Sequence, residues 1–299
     1  MTTPAEAIDV INARFGSHAG RRALHAKGTW CEGTFTATPA AAALSRAAHL
    51  RGEPIPALAR VSNGGGNPKV PDYAPDVRGL AVTLTLPDGS ATDMVAQSVP
   101  RFFQSTPQEF VEFIRAGTGV GAAVKLPLYL ATHPKAVRRL PANAPALRPP
   151  PSYAQCAYFG VHAFVWVDAD GGRRAVRWSW EPEAGDARIG PREAKSRGRD
   201  YLQDGVAPSL PARWRLQVTV AAPGDPTDDP SALWPDDRER VDAGVLELTA
   251  VVEDPETGGN VVVFDPTRLT DGIELSDDPF LPYRAAAYSE SVARRVAGS

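Results

Sequence analysis

The sequence predicts an α+β fold in which a closed antiparallel β-barrel of about eight strands is surrounded by helices. Strand-like runs arrive in two batches, the segments of helical period lie outside those batches, and a Pro-rich stretch at about 141–151 separates one batch from the other. The chain has 299 residues, 43% hydrophobic and 22% charged, which supplies an ordinary core with no disorder signature. Barrels commonly run long as one unit, so the expectation is a single domain over 1–299.

Residues 4–15 carry Ala5, Ile8, Ile11 and Phe15 on a helical period behind Thr3 as cap, with Pro4 at the first helical position. Thr29–Thr36 is rich in Thr and aromatic residues and reads as a strand. Ala40–Leu50 is helical by propensity. Strands follow at 57–62, 79–86 and 92–97, separated by Asn63-Gly64-Gly65-Gly66-Asn67-Pro68 and by Pro87-Asp88-Gly89, both strong turn signals. Helices are expected at about 107–116 and 121–132 before the Pro-rich linker. The second batch of strands falls at about 158–168, 174–180, 213–221, 244–252 and 261–264, with a charged helical insert near 191–205. A last helix spans about 279–296. No repeat of solenoid length is present.

A formal net charge of −3 gives no electrostatic reason to expect nucleic acid or an anionic membrane as partner. Two cysteines, Cys31 and Cys156, are too few for a disulfide framework and lack metal-ligand spacing, so they read as idle buried thiols. The N-terminus lacks the basic and apolar regions of a signal peptide, and nowhere do eighteen apolar residues run together. The expected location is the cytoplasm.

The chemistry begins at the C-terminal helix. Arg284, Tyr288, Ser291 and Arg295 recur at i, i+4, i+7 and i+11, which places all four on one stripe. A phenol ordinarily titrates near 10, so a phenolate that binds metal at neutral pH needs fixed positive charge beside it. A guanidinium one turn upstream provides it, an arrangement suited to an axial ligand of haem iron.

At the other end of the chain stands Arg22-Ala23-Leu24-His25-Ala26-Lys27-Gly28. Between the two ends lie Ala59-Arg60-Val61-Ser62-Asn63, Asp76-Val77-Arg78-Gly79-Leu80-Ala81-Val82 and the run Asp93 to Phe103. Thr106-Pro107 with Phe110, Gly160-Val161-His162-Ala163-Phe164, Phe264-Asp265-Pro266 and Asp278-Pro279 follow in order. In this order the segments resemble the monofunctional haem catalases, over nearly the whole chain. Nothing corresponds to the long N-terminal arm, wrapping segment or C-terminal helical domain of the large enzymes. The resemblance is to the small catalase-related peroxidase branch, a minimal haem domain.

That resemblance implies haem b as cofactor, Tyr288 as its iron ligand and Arg284 beside the phenol oxygen. Arg22, Arg60 and Arg295 would bind the propionates and Phe110 would pack flat on the porphyrin. His25 would be the distal acid–base group, oriented by Ser62, with Gln97 holding the peroxide. The implied activity is peroxidase action on hydrogen peroxide or organic hydroperoxides through an oxoferryl intermediate, with an organic electron donor as second substrate and weak catalase activity. His18, His49, His133 and His162 read as ordinary surface or core residues. Without the oligomerising arms, a monomer or homodimer is expected.

Two positions depart from the family pattern. The family's asparagine is replaced by Gln97, one methylene longer, and a valine that narrows the access channel aligns with Gly64, whose missing side chain would widen the entrance. Both favour bulkier donors over rapid disproportionation. Rearrangement of a fatty-acid hydroperoxide, in the manner of allene oxide synthases on a catalase-like core, uses the same tyrosine and histidine. A non-catalytic haem-binding barrel would have no need of Arg22, His25 and Ser62 together.

Overall fold

Eight antiparallel strands close into a barrel in the computed structural model, which describes residues 2–257 and 259–297, without the side chains of Leu140 and Ala142. Met1 and residues 298–299, the ends of the expected domain, lie outside the described residues, as does Gly258. The chain opens with α1 (Pro4–Phe15), where Thr3 and Glu6 form a reciprocal capping box and Ala7, Ile8 and Ile11 are buried. Then come β1 (Gly28–Ala37), α2 (Pro39–Leu44), β2 (Ile55–Asn63), β3 (Arg78–Thr85) and β4 (Ala91–Gln97). Helices α3 (Pro107–Ala116), α4 (Ala122–Thr132) and α5 (Pro134–Asn143) separate these from β5 (Tyr158–Val167) and β6 (Arg173–Pro182). After α6 (Pro191–Ser196) and α7 (Tyr201–Asp204) come β7 (Ala212–Val220), β8 (Arg240–Val251), β9 (Ile273–Leu275) and α8 (Phe280–Ala297).

The strand order is β4-β3-β2-β1-β8-β7-β6-β5, and Gln97 of β4 pairs with Phe159 of β5 to close it, with β9 added on β5. Closure removes the unpaired edges that an open sheet would expose. Because strand residues alternate faces, each wall segment has an apolar inside and a separate outside. Ala59 and Val61 of β2, Leu80 and Val82 of β3, and Met94 and Ala96 of β4 point into the core, where Phe35, Trp166, Trp180, Trp214 and Leu246 meet them. Each fully buried leucine or valine there contributes about 1.5–3 kcal/mol. The opposite positions, Arg60 and Ser62, Gly79 and Ala81, Val95 and Gln97, form one outward patch.

Several elements depart from the sequence reading. The helix expected over 40–50 breaks after Leu44, because Ser45 and Arg46 turn to bond β5 and the β9 approach: Ser45 Oγ donates to Gly272 O at 2.8 Å and Arg46 N to Val167 O at 2.9 Å. The linker of 141–151 begins inside α5 and continues as a single 3₁₀ turn, Ala144–Leu147. The insert of 191–205 is two short helices, α6 and α7. The run 261–264 is no strand, although Val-Val-Val-Phe has the propensity. Its carbonyls are taken by side chains instead, Val262 O by Arg22 and Val263 O by Arg268. Both cysteines are buried and free, their thiols pushed up by burial to about 12 for Cys31 and about 11 for Cys156.

Candidate functional site

The outward patch of β2, β3 and β4 is the floor of the site. Ser62 pairs with Gly79, and Gly79 with Gln97, so the three form one row across the sheet with Ser62 and Gln97 on the same face. Gly79 leaves a gap between them. A Cβ there would stand 2.7 Å from the His25 ring and 2.9 Å from Ser62 Oγ, so only glycine lets the imidazole lie on the sheet. His25 Nδ1 and Ser62 Oγ are 3.0 Å apart, and Gln97 Nε2 is buried without a partner.

His25 is held in a costly backbone conformation. It is the non-glycine residue at positive φ among the described residues, at 55°. Its N–H donates to Gly64 O at 3.0 Å and its carbonyl accepts from Arg60 Nη1 at 2.7 Å, while Ala26 N donates to Gly65 O at 3.1 Å. The Gly64–Gly66 loop and Arg60 thus fix the bend from both sides. Burial pushes the imidazole down to about 3, and the positive charges of Arg60, Arg284 and Arg22 push the same way. The ring is neutral at pH 7. In the tautomer in which Nδ1–H donates to Ser62 Oγ, Nε2 is left as a free base.

Arg284 belongs to the far end of the chain, and its charge reaches His25 because α8 packs back against the N-terminal segment. Arg294 Nη1 bonds Asp9 at 2.5 Å and Tyr283 Oη donates to Thr3 O at 3.0 Å. On α8 the Tyr288 oxygen accepts from Arg284 Nε at 3.1 Å and also from Arg284 Nη2. Arg284 Nη1 donates to His162 Nε2 at 2.7 Å, His162 Nδ1 donates to Asp278 Oδ2 at 2.7 Å, and Asp278 Oδ1 accepts from Phe280 N at 2.8 Å at the start of α8. One carboxylate therefore caps the helix and anchors the relay that aims Arg284 at the phenol. His162 is available because the β5–β6 register shifts between Gly160 and Phe164, taking it out of the ladder. His162 is buried, as a core residue is, and carries these two bonds besides. Burial lowers its titration point, so it is neutral and the Nδ1–H tautomer is the one both bonds require.

The arginines come together around Trp30. The guanidinium carbons of Arg22 and Arg60 lie 5.3 and 5.7 Å from its ring centre, and Phe264 stacks on it at 5.4 Å. Their forks are already engaged. Arg60 bonds His25 O and Ala26 O, leaving Nε buried and unpartnered. Arg22 holds Glu256 through both terminal nitrogens, and Arg295 Nη1 lies 3.0 Å from the same carboxylate. A cavity of about 280 Å³ opens on Arg22, Ser291 and Arg295 between α1, residues 16–23 and α8. Phe110 joins an aromatic cluster, 5.3 Å from Phe102, which lies 4.7 Å from Phe280 and 6.4 Å from His162. At Gly64 the expected widening meets a filled space: a Cβ would be 3.0 Å from Val77 and 3.1 Å from Asp76.

His25, Ser62 and Gln97 thus form one group, Arg284 and Tyr288 a second, and Arg22, Arg60 and Arg295 a third. Sequence reasoning missed His162 as a partner of Arg284, Asp278 as its anchor, Gly79 as the seat of His25, and Glu256. The first three sit inside the quoted segments, but their pairing spans the chain. Glu256 carries no local signal.

The barrel and this constellation define a known class: the chain belongs to the catalase family, whose model, described as Catalase, matches residues 12–299. It is 46% identical to a catalase-related peroxidase of Mycolicibacterium paratuberculosis, over 98% of this chain and 95% of that protein. It is 34% identical to a catalase-related peroxidase of Synechococcus elongatus, over 99% and 89%. A Latilactobacillus sakei catalase is 26% identical over 92% of this chain but only 62% of its own length. The crystal structure of a fungal catalase shares the fold with a TM-score of 0.83 at 21% identity, covering 93% of this chain and 60% of that one. Among the described residues no helix is long and apolar enough to cross a membrane.

Proposed function

We propose that this chain is a haem-dependent peroxidase, a minimal catalase-like unit that consumes hydrogen peroxide or organic hydroperoxides and retains weak catalase activity. The observation that carries the reading is the neutral His25 ring lying on Gly79 between Ser62 and the unpartnered amide of Gln97. Its similarity to catalase-related peroxidases along nearly the whole chain supports the same class of reaction.

The residues fit a haem. The Tyr288 oxygen receives two guanidinium N–H bonds from Arg284 and can offer its lone pair to iron as a phenolate. Arg60 Nε, Arg22 and Arg295 supply charge-assisted donors suited to propionates, and Phe110 with Phe102 supplies an apolar wall. Haem b, when bound, supplies the two electrons that heterolysis of the peroxide bond consumes. His25 Nε2 removes the proton from one peroxide oxygen and returns it to the departing one, so that water leaves. Ser62 fixes the tautomer, and the Gln97 amide donates to the peroxide while the O–O bond breaks. An organic donor, or a second peroxide, restores the electrons. The reaction fits a water-filled compartment such as the cytoplasm.

The test is spectroscopic first. Protein expressed with ample porphyrin should show ferric haem with a phenolate charge-transfer band, which Tyr288→Phe abolishes. Colourless protein would sink the proposal. His25→Ala should keep the Soret band and lose peroxide consumption; a haem carrier would be indifferent to it. Oxygen release measured against oxidation of a bulky phenol then separates catalase from peroxidase action.

A further inference from the structure

Glu256 is a carboxylate held by Arg22 and approached by Arg295, and neither the proposed reaction nor its tyrosine helix uses it. Its side chain is 13% exposed. Oε2 accepts from Arg22 Nη1 at 2.5 Å, and Oε1 accepts from Arg22 Nη2 at 3.1 Å and from Val262 N at 3.0 Å. Arg295 Nη1 approaches Oε1 to 3.0 Å. This is the bidentate fork geometry by which arginines bind any carboxylate, here met by one on a tether.

Glu256 sits on a turn, neither in a strand nor in a helix. Glu256 lies in the irregular connection between β8 and β9, whose 261–264 run pairs with no strand. The cavity of about 280 Å³ reaches Arg22 and Arg295, so a second carboxylate can approach the two guanidinium groups while Glu256 holds them. Arg60 has Nη1 and Nη2 on His25 O and Ala26 O, which leaves its Nε for a propionate.

We propose that Glu256 is a tethered carboxylate that competes with porphyrin propionates for Arg22 and Arg295, and so sets how tightly the chain takes its cofactor. The inference rests on the haem reading above. When a propionate takes Arg22, the Glu256 carboxylate and its bond from Val262 N–H are released together. Where the arginines are free of Glu256 for about a tenth of the time, the apparent affinity is about tenfold below its intrinsic value, and removing the competitor restores it.

The experiment uses the full chain prepared from porphyrin-starved cells and titrated with haemin, followed by Soret absorbance. Glu256→Gln, which keeps size and loses charge, should tighten haemin by about tenfold. The dimethyl ester of haemin, which has no free propionates, should bind wild type and variant equally. In wild type, haemin should accelerate hydrogen exchange at the Val262 amide. Equal or weaker haemin binding by the variant, or an equal gain with the ester, overturns the inference. If wild type takes up no haemin at all, it is the haem reading that fails. Should Glu256→Gln not fold, Glu256→Asp, one methylene short, carries the same comparison with a smaller gain expected.

Discussion

The two faces of the β2–β3–β4 wall are made by the same strands and do opposite work. Inside, Val61, Leu80 and Met94 belong to the apolar core, against whose Phe35 His49 packs, 1% exposed and pushed down to about 4 by burial alone. Outside, Ser62, Gly79 and Gln97 carry His25, pushed down to about 3 by burial together with three arginine charges. Both rings are neutral at pH 7. His49 has an unpartnered Nδ1 and stands among core side chains, whereas His25 has an orienting hydroxyl, a strained backbone and a charged surround. Neutrality and burial are common to both rings; an orienting hydroxyl and a charged surround set His25 apart.

The largest expected effect breaks the comparison directly. His25→Ala should lower peroxide turnover by roughly 10²–10⁴-fold, the range for losing a general acid–base group, with the Soret band kept. His49→Leu should leave turnover within a few-fold of wild type. Steady-state peroxide consumption by haem-loaded protein decides it, and equal losses would mean that the two histidines do not differ in role.

Next come the two neighbours on β3, Gly79 outside and Leu80 inside. Leu80→Ala should destabilise the fold by about 2–5 kcal/mol with the spectrum intact. Gly79→Ala should do the reverse, costing less stability but displacing His25 and cutting turnover by more than about tenfold, because its Cβ meets the ring at 2.7 Å. Denaturant melts paired with turnover measure both.

The acid response sharpens it further. Each histidine has a folded-state value below the ordinary 6.5, so the unfolded chain takes up the proton first as pH falls. Stability therefore declines below about pH 6.5, by up to about 1.4 kcal/mol per pH unit per group, until roughly pH 4 for His49 and pH 3 for His25. His49→Leu should remove one such increment between pH 4 and 6.5 and leave that of His25. Parallel curves for variant and wild type would contradict the burial argument. The smallest effect is expected at Gln97→Asn, where the shorter amide should raise oxygen release relative to donor oxidation by about two- to tenfold.

Much of this was legible before any coordinates. The strand-like runs at 57–62, 79–86 and 92–97 were marked by the turn signals between them, and the Thr3–Pro4 start fixed α1, because these signals are local. His25, Ser62 and Gln97 were named from their segments, as were Arg284 and Tyr288 from helical spacing. The failures have a common cause. Val261 to Phe264 had strand propensity but no strand partner, and the helix over 40–50 broke because Ser45 found Gly272 O, 227 residues away. His162 looked inert because Asp278, which orients it, lies 116 residues on.

The sequence by itself determined the barrel and the family, and it named His25 and Tyr288 as the candidate acid–base and phenol groups, since periodicity, turn chemistry and ordered motifs are written within short windows. Only the tertiary structure decided that Gly79 seats His25, that Asp278 and His162 aim Arg284, and that Glu256 holds Arg22 and Arg295. Those depend on hydrogen bonds and charge pairs between segments brought together by barrel closure and by the return of α8 to α1. No local pattern encodes such distances.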